Sequence, residues 1–187
     1  MYKPNFNLKI TDLDTAIDYL KSDWPDYAVT LLGPARNEYY GNRIGQPKPD
    51  LKSTGKHHLR VVIDDITYHA DGWETPDIKH AEQVLKHTSK IKEGDNVLIH
   101  CRAGVSRSTA TSIAVLVQHG AEPDDAISYV EHIRPILDPN ELMIINYDAA
   151  LGQEGALYGA YLEWVDRSQK MLFSRIPEVY DSILDYK

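Results

Sequence analysis

The sequence has a single cysteine, Cys101, among its 187 residues. One thiol excludes an internal disulfide and a zinc site built from several cysteines. The sequence also lacks an apolar run long enough to span a bilayer, because its longest uncharged apolar stretch, 108–119, is too short, and residues 1–5 do not begin a secretory apolar region. These absences predict a cytoplasmic protein that does not bind a membrane.

Positive charge is also scarce, since 20 lysines and arginines stand against 28 acidic residues and the formal net charge is −8. Sequence-independent nucleic-acid binding needs a surface that neutralises phosphates, so we expect no nucleic-acid partner. No internal repeat is visible. The length, with 42% hydrophobic and 26% charged residues, is typical of a folded chain, and we predict a single domain over 1–187.

Short apolar runs alternate with amphipathic segments along the chain. The runs predict strands at 27–32, 59–63 and 96–100. The amphipathic segments predict helices at 12–21, 75–90, 107–119, 123–134, from 138 onward and at 156–172, while 176–187 is either a short helix or a loose tail. Residues Thr11, Thr75 and Asp138 are predicted to begin three of these helices as caps. This order predicts an α/β fold with a small, largely parallel sheet flanked by helices on both faces.

The segment at residues 100–108 has the sequence His-Cys-Arg-Ala-Gly-Val-Ser-Arg-Ser and joins the third predicted strand to a helix without charge after its first residue. In such a sheet, ligands bind beyond the carboxyl ends of the strands. A tight turn there directs successive backbone N–H groups at an oxyanion, and the following helix adds its positive end. We predict a phosphate site formed by Arg102, Ala103, Gly104, Val105, Ser106 and Arg107.

The same surroundings favour a reactive thiolate at Cys101. Helix N-termini and arginine lower a thiol pKa into a range of roughly 3.5 to 7.5, and a thiolate under a bound phosphate can attack phosphorus. Ser108 is predicted to hydrogen-bond the sulfur, and His100 to support the turn. The leaving oxygen also needs a proton, for which the loop at 64–73 offers three carboxyl groups: Asp64, Asp65 and Asp71.

The pattern His-Cys-x5-Arg-Ser resembles the signature of the cysteine-dependent protein tyrosine phosphatase superfamily. Ser108-Thr109 after the arginine, in place of Thr-Gly, is similar to the small dual-specificity branch and to related bacterial enzymes. The resemblance implies the fold of that family with a catalytic core at 58–150. It also implies that Asp65 is the general acid, since the residues at 58–65 (His-Leu-Arg-Val-Val-Ile-Asp-Asp) align with the family strand that ends on the acid.

Other features have plainer interpretations. The tripeptide Trp24-Pro25-Asp26 and the pair Asp138-Pro139 suggest the acids of other phosphatases, but we interpret them as a helix break and a helix start. The histidines show no zinc-binding spacing, and we predict neither a metal nor a cofactor. Two alternatives stay open for the loop at 33–56, which either contacts a phosphorylated partner or is solvated; the residues concerned are Arg36, Tyr39, Tyr40 and Arg43. The Arg102 side chain, likewise, either helps to capture the anion or points outward.

The predicted function is therefore hydrolysis of phosphotyrosine in a phosphoprotein or phosphopeptide through a phosphocysteine on Cys101. Phosphoserine and phosphothreonine stay open as further substrates. Alternatives are a phosphoinositide or RNA 5′-triphosphate phosphatase, and a silent phosphate-binding pseudo-phosphatase. The loop lacks the lysines typical of phosphoinositide enzymes, and the net charge disfavours RNA. The oligomeric state is left open.

Overall fold

The computed structural model describes residues 2–34 and 56–184, with side chains as far as Lys170. Over these residues the sheet has four strands in the order β1-β4-β2-β3, and each neighbouring pair is parallel. The strands are β1 (Asn7–Thr11), β2 (Tyr27–Leu32), β3 (His57–Val62) and β4 (Asn96–His100). The three predicted strands are confirmed. Strand β1, a short edge strand, was missed although its alternation of polar and apolar residues is the pattern of a half-buried strand.

In the described ranges six helices accompany the sheet: α1 (Leu13–Lys21), α2 (Ile78–Thr88), α3 (Arg107–Gln118), α4 (Pro123–Ile133), α5 (Glu141–Leu151) and α6 (Ala156–Leu184). All predicted helices are present. Helix α6 joins the segment predicted at 156–172 with most of the uncertain segment after it.

The predicted caps were wrong by one or two residues. The observed N-caps are Asp12, Asp77 and Asn140, and each side chain accepts a hydrogen bond from a backbone N–H in the first turn. Thr11 is the last residue of β1 and pairs with His100, so strand pairing holds it extended. Local cap patterns do not contain that information.

The sheet is covered on both faces, as predicted. Helix α1 packs one face through a small apolar cluster of Ala16, Leu20, Ala28 and Leu98. The main core lies on the other face, where α3 contacts β1 and β4 and is surrounded by α2, α4 and α5. Every residue of α3 from Arg107 to Val117 is buried, in keeping with its lack of charged side chains after the first residue. Within the described part of the chain, no helix has the length and apolar character needed to cross a membrane.

Parallel pairing brings the carboxyl ends of the strands to one edge of the sheet. Strand β4 continues there into Cys101, and β3 continues into Asp64 and Asp65. Gly104 packs directly against the end of β1: a Cβ at this position would lie 2.6 Å from the carbonyl carbon of Thr11 and 2.7 Å from the nitrogen of Asp12. Its φ of +72° also disfavours an L side chain. The position therefore needs glycine for two independent reasons.

Replacing Gly104 with alanine should destabilise the fold far more than the same change at Gly152. Gly152 has a comparable φ of +65° but open space around its Cα, so Gly152→Ala should cost about 1 kcal/mol of unfolding free energy from backbone strain alone. Gly104→Ala adds the overlap with β1 and should cost about 2 kcal/mol more. Urea unfolding of both variants measures the difference, and equal losses would show that the contact with β1 is readily relieved.

Candidate active site

The loop at Cys101–Ser106, called here the signature loop, is held by hydrogen bonds on its outer side. Four successive carbonyls accept: Arg102 from the Leu13 N–H (3.1 Å), Ala103 from Arg134 Nη2 (3.0 Å), Gly104 from Arg134 Nε (2.9 Å) and Val105 from the Asp138 N–H (3.0 Å). The N–H of a trans peptide points opposite to its carbonyl. The N–H groups of residues 103–106 therefore turn towards the inside of the loop, where an oxyanion can accept them.

The Cys101 thiol lies at the floor of this loop and is only 1% exposed. Its Sγ lies 3.2 Å from Ser108 Oγ and accepts from the Gly104 N–H, also at 3.2 Å. Burial raises the pKa of the thiol, but hydrogen bonds from the side chain and backbone of Ser108, together with the positive charge of Arg107, outweigh burial and leave the pKa lowered. The surroundings thus favour the thiolate.

His100 supports the loop through a chain of buried polar contacts. Its Nδ1 lies 3.3 Å from the Cys101 carbonyl, and its Nε2 lies 2.6 Å from Thr30 Oγ1, which in turn lies 2.8 Å from His58 Nε2. Burial lowers the pKa of His100 to about 4 and that of His58 to about 4, so both rings are neutral near pH 7. A neutral His100 that donates from Nδ1 must accept the Thr30 hydroxyl at Nε2. The Cys101 carbonyl, which can only accept, therefore fixes the proton of His100 on Nδ1 and leaves Nε2 to accept from Thr30.

Arg107 begins α3 and extends along the base of the loop. It is 6% exposed, and its Nη1 donates to the Ile63 carbonyl at the end of β3 (2.9 Å). Its Nε lies 3.5 Å from Asp65 Oδ2, within ion-pair range. Among the described residues this buried Nε has no aligned hydrogen-bond acceptor, so we regard the pair with Asp65 as electrostatic rather than hydrogen-bonded. The guanidinium is thus held by the hydrogen bond from Nη1 to Ile63, and its Nε–H is left without an aligned acceptor among the described residues.

The structure separates the three candidate acids. Asp65 faces the signature loop: its Oδ1 accepts from Ser106 Oγ (2.7 Å), and its side chain is 38% exposed. Asp64 is buried and accepts the Glu74 N–H at 2.9 Å, which closes the loop that follows β3. Asp71 is fully exposed, 4.0 Å from His69. Of the three, Asp65 is the carboxyl group that contacts Arg107 and Ser106.

Other residues singled out in the sequence lie elsewhere. Arg102 is exposed. Asp26 accepts the Asn96 N–H at 2.8 Å, which places it at the amino ends of the strands, away from Cys101. The loop residues Arg36, Tyr39, Tyr40 and Arg43 fall outside the described residues. No three histidine, cysteine, aspartate or glutamate side chains in the described ranges are arranged to hold a metal ion.

Sequence reasoning missed four residues that support the site: Thr30, His58, Arg134 and, as a contact of Asp65, Asn140. Arg134 was assigned only to the end of a helix, and Asn140 only to the start of another. No local pattern marks them, because each of these contacts joins residues at least 28 positions apart in sequence.

Comparison with known proteins agrees with this geometry. The family model described as dual specificity phosphatase, catalytic domain, matches residues 39–147, more than half of the chain. The chain belongs to the dual specificity phosphatase family. This membership confirms the resemblance inferred from the signature.

One individual relative and two solved structures share 20% to 32% sequence identity with this chain. Mouse dual specificity protein phosphatase 15 is 32% identical over 117 residues, which cover 54% of this chain and 49% of the relative; the chain therefore matches about half the length of that relative. The crystal structure of human DUSP28 has 21% identity and a TM-score of 0.54, covering 81% of this chain and 96% of that one. A structure of PTPMT1 in complex with PI(5)P has 20% identity and a TM-score of 0.53, covering 79% and 94%. The two structures confirm the predicted fold.

Replacing Ser108 with alanine should raise the pKa of the Cys101 thiol, because the thiolate loses the hydroxyl 3.2 Å from its sulfur. The rate of alkylation by iodoacetate, followed against pH by mass spectrometry, measures this shift on the only cysteine of the chain. The matched control is Ser112→Ala, since Ser112 Oγ donates to the Ser108 carbonyl and not to sulfur. An unchanged alkylation profile in Ser108→Ala would contradict the assigned hydrogen bond.

Removing the Arg134 donors should weaken oxyanion binding in the signature loop. Arg134→Met frees two loop carbonyls, so the loop is less well ordered and vanadate affinity should fall about tenfold. Arg134→Lys keeps one charged donor and should lose less. Titration with vanadate measures both, and a wild-type affinity in Arg134→Met would show that the remaining contacts suffice.

Proposed function

We propose that this protein is a protein phosphatase that hydrolyses phosphotyrosine through a phosphocysteine intermediate on Cys101. The observation that carries the proposal is the convergence of a stabilised thiolate, inward N–H groups, the Arg107 guanidinium and the Asp65 carboxyl on one loop. Each group corresponds to one requirement of phosphomonoester hydrolysis.

In the first step the Cys101 thiolate attacks phosphorus, forming a sulfur–phosphorus bond as the bond from phosphorus to the leaving oxygen breaks. Arg107 and the N–H groups of the loop bind the non-bridging oxygens, whose charge they stabilise in the transition state. The protonated Asp65 carboxyl gives its proton to the leaving oxygen. The products of this step are an alcohol or phenol, the phosphocysteine and the Asp65 carboxylate.

In the second step water attacks the phosphocysteine and the sulfur–phosphorus bond breaks. The Asp65 carboxylate accepts a proton from the attacking water, which restores its acid form. Cys101 leaves as a thiolate, stabilised by the Ser108 hydroxyl and the Gly104 N–H. Inorganic phosphate is released, and no step uses a metal ion.

Family membership supports phosphorylated proteins as substrates, and we propose that phosphoserine and phosphothreonine peptides are accepted beside phosphotyrosine. The phosphoinositide alternative has one specific observation in its favour, the similarity in fold to PTPMT1, which was solved with PI(5)P. Against it, the loop residues 102–106 include no lysine, and the net charge of −8 opposes attraction to an anionic lipid surface. The cytoplasmic location and the catalytic core at 58–150 stay predictions.

The wild-type protein should hydrolyse 4-nitrophenyl phosphate with EDTA present, and Cys101→Ser should abolish turnover because the nucleophile is gone. Asp65→Asn should lower kcat about a hundredfold or more, the usual contribution of a general acid. Asp71→Asn is the matched control, since that carboxyl group lies in the same loop but is fully exposed. Steady-state kinetics measure all four proteins.

Two outcomes would contradict the proposal. An inactive wild type that still binds vanadate would make the loop a phosphate-binding module, and full activity in Asp65→Asn would remove the acid assignment. Phosphate release from phosphotyrosine, phosphoserine and phosphothreonine peptides and from phosphoinositide vesicles then distinguishes the substrate classes. A preference for the vesicles would support the alternative.

A further inference from the structure

Asn140 connects three parts of the site from a position that is only 3% exposed. Its side-chain Nδ2 donates to Asp65 Oδ1 (3.1 Å) and to the Ile66 carbonyl (3.2 Å). Its backbone N–H donates to the Ser106 carbonyl of the signature loop (3.5 Å). The residue thus joins the acid loop to the signature loop.

The orientation of the Asn140 amide is set by its own helix. Its Oδ1 accepts the Met143 N–H (3.1 Å) as the N-cap of α5, so the amide nitrogen must face away from that helix and towards Asp65. Burial leaves a donor at this point no solvent to bond with. A helix cap therefore determines which way the amide donor points.

The consequence for Asp65 is that its two carboxyl oxygens are not equivalent. Oδ1 accepts from both Asn140 Nδ2 and Ser106 Oγ, whereas Oδ2 faces Arg107 Nε at 3.5 Å. A carboxyl oxygen already holding two donors is poorly suited to carry a proton. Oδ2, which faces Arg107, is left as the oxygen that holds it.

We propose that Asn140 is a positioning residue that holds Asp65 Oδ1 so that Oδ2 delivers the proton to the leaving group. This inference rests on the proposed function and deepens it. A misplaced acid slows expulsion of a basic leaving group more than expulsion of an acidic one, because only the basic one depends on protonation. A purely structural role for Asn140 would not discriminate between leaving groups.

The test compares kcat/KM for phenyl phosphate with kcat/KM for 4-nitrophenyl phosphate, measured on the same preparation so that the fraction of folded protein cancels. Asn140→Ser and Asn140→Asp both retain an N-cap acceptor for α5 but lose the donor to Asp65. Asp65→Asn is the positive control. Asp77→Ala is the matched control, because it removes the N-cap of α2 and has no hydrogen bond to Asp65.

The expected result is that the phenyl-to-nitrophenyl ratio falls about tenfold in both Asn140 variants and more in Asp65→Asn, while Asp77→Ala keeps the wild-type ratio. Two Asn140 variants are used so that poor folding of one, seen in its thermal melt, leaves the other to decide.

A wild-type ratio in the folded Asn140 variants, beside a lowered ratio in Asp65→Asn, would overturn the positioning role and leave the proposed function intact. An unchanged ratio in Asp65→Asn, or a wild type without turnover, would overturn the proposed function and this inference with it. The two failures are therefore distinguishable.

Discussion

The site depends on the outward anchoring of the carbonyls in the signature loop. A loop that presents several N–H groups to one point leaves as many carbonyls on its other side, and these need partners. Here the start of α1, the Arg134 side chain and the segment before α5 provide them. The N–H groups of the loop can converge on one point only if its carbonyls have hydrogen-bond partners on the opposite side. The anion site is thus built as much by the elements behind the loop as by the loop itself.

Close packing against β1 adds a steric requirement to this arrangement. The absence of a side chain at Gly104 lets the loop approach the junction of β1 and α1, where the Leu13 N–H reaches the Arg102 carbonyl. Charge then completes the site: Arg107 is buried, fixed to the end of β3 and paired with Asp65. A buried guanidinium whose Nε has no aligned acceptor favours an incoming phosphate, which supplies both charge and acceptor oxygens.

The supporting contacts converge on backbone carbonyls and on Asp65 rather than on the thiol alone. His100 is held by Thr30 and holds the Cys101 carbonyl, while Asn140 caps α5 and holds Asp65. In both cases one polar atom of the side chain makes a structural hydrogen bond, and this bond fixes the direction in which the other polar atom points. Side chains that make both kinds of hydrogen bond hold the groups proposed to react in fixed orientations.

The sequence alone determined the family signature of the loop and most of the secondary structure. The order His-Cys-x5-Arg-Ser after an apolar strand and before an uncharged helix requires only local geometry, as do the helices and the central strands, whose periodicity is strong. The cap at Asp12 was not predictable from local patterns, since pairing with β4 holds Thr11 extended; the edge strand β1 and the caps at Asp77 and Asn140 were also missed. Only the tertiary structure decided between Asp64 and Asp65 as neighbours of Arg107, because the two are adjacent in sequence and differ only in what they face. It also brought Arg134 and Asn140 to the site, because contacts across 30 and 75 residues depend on how the helices pack on the sheet and leave no mark on the neighbouring sequence.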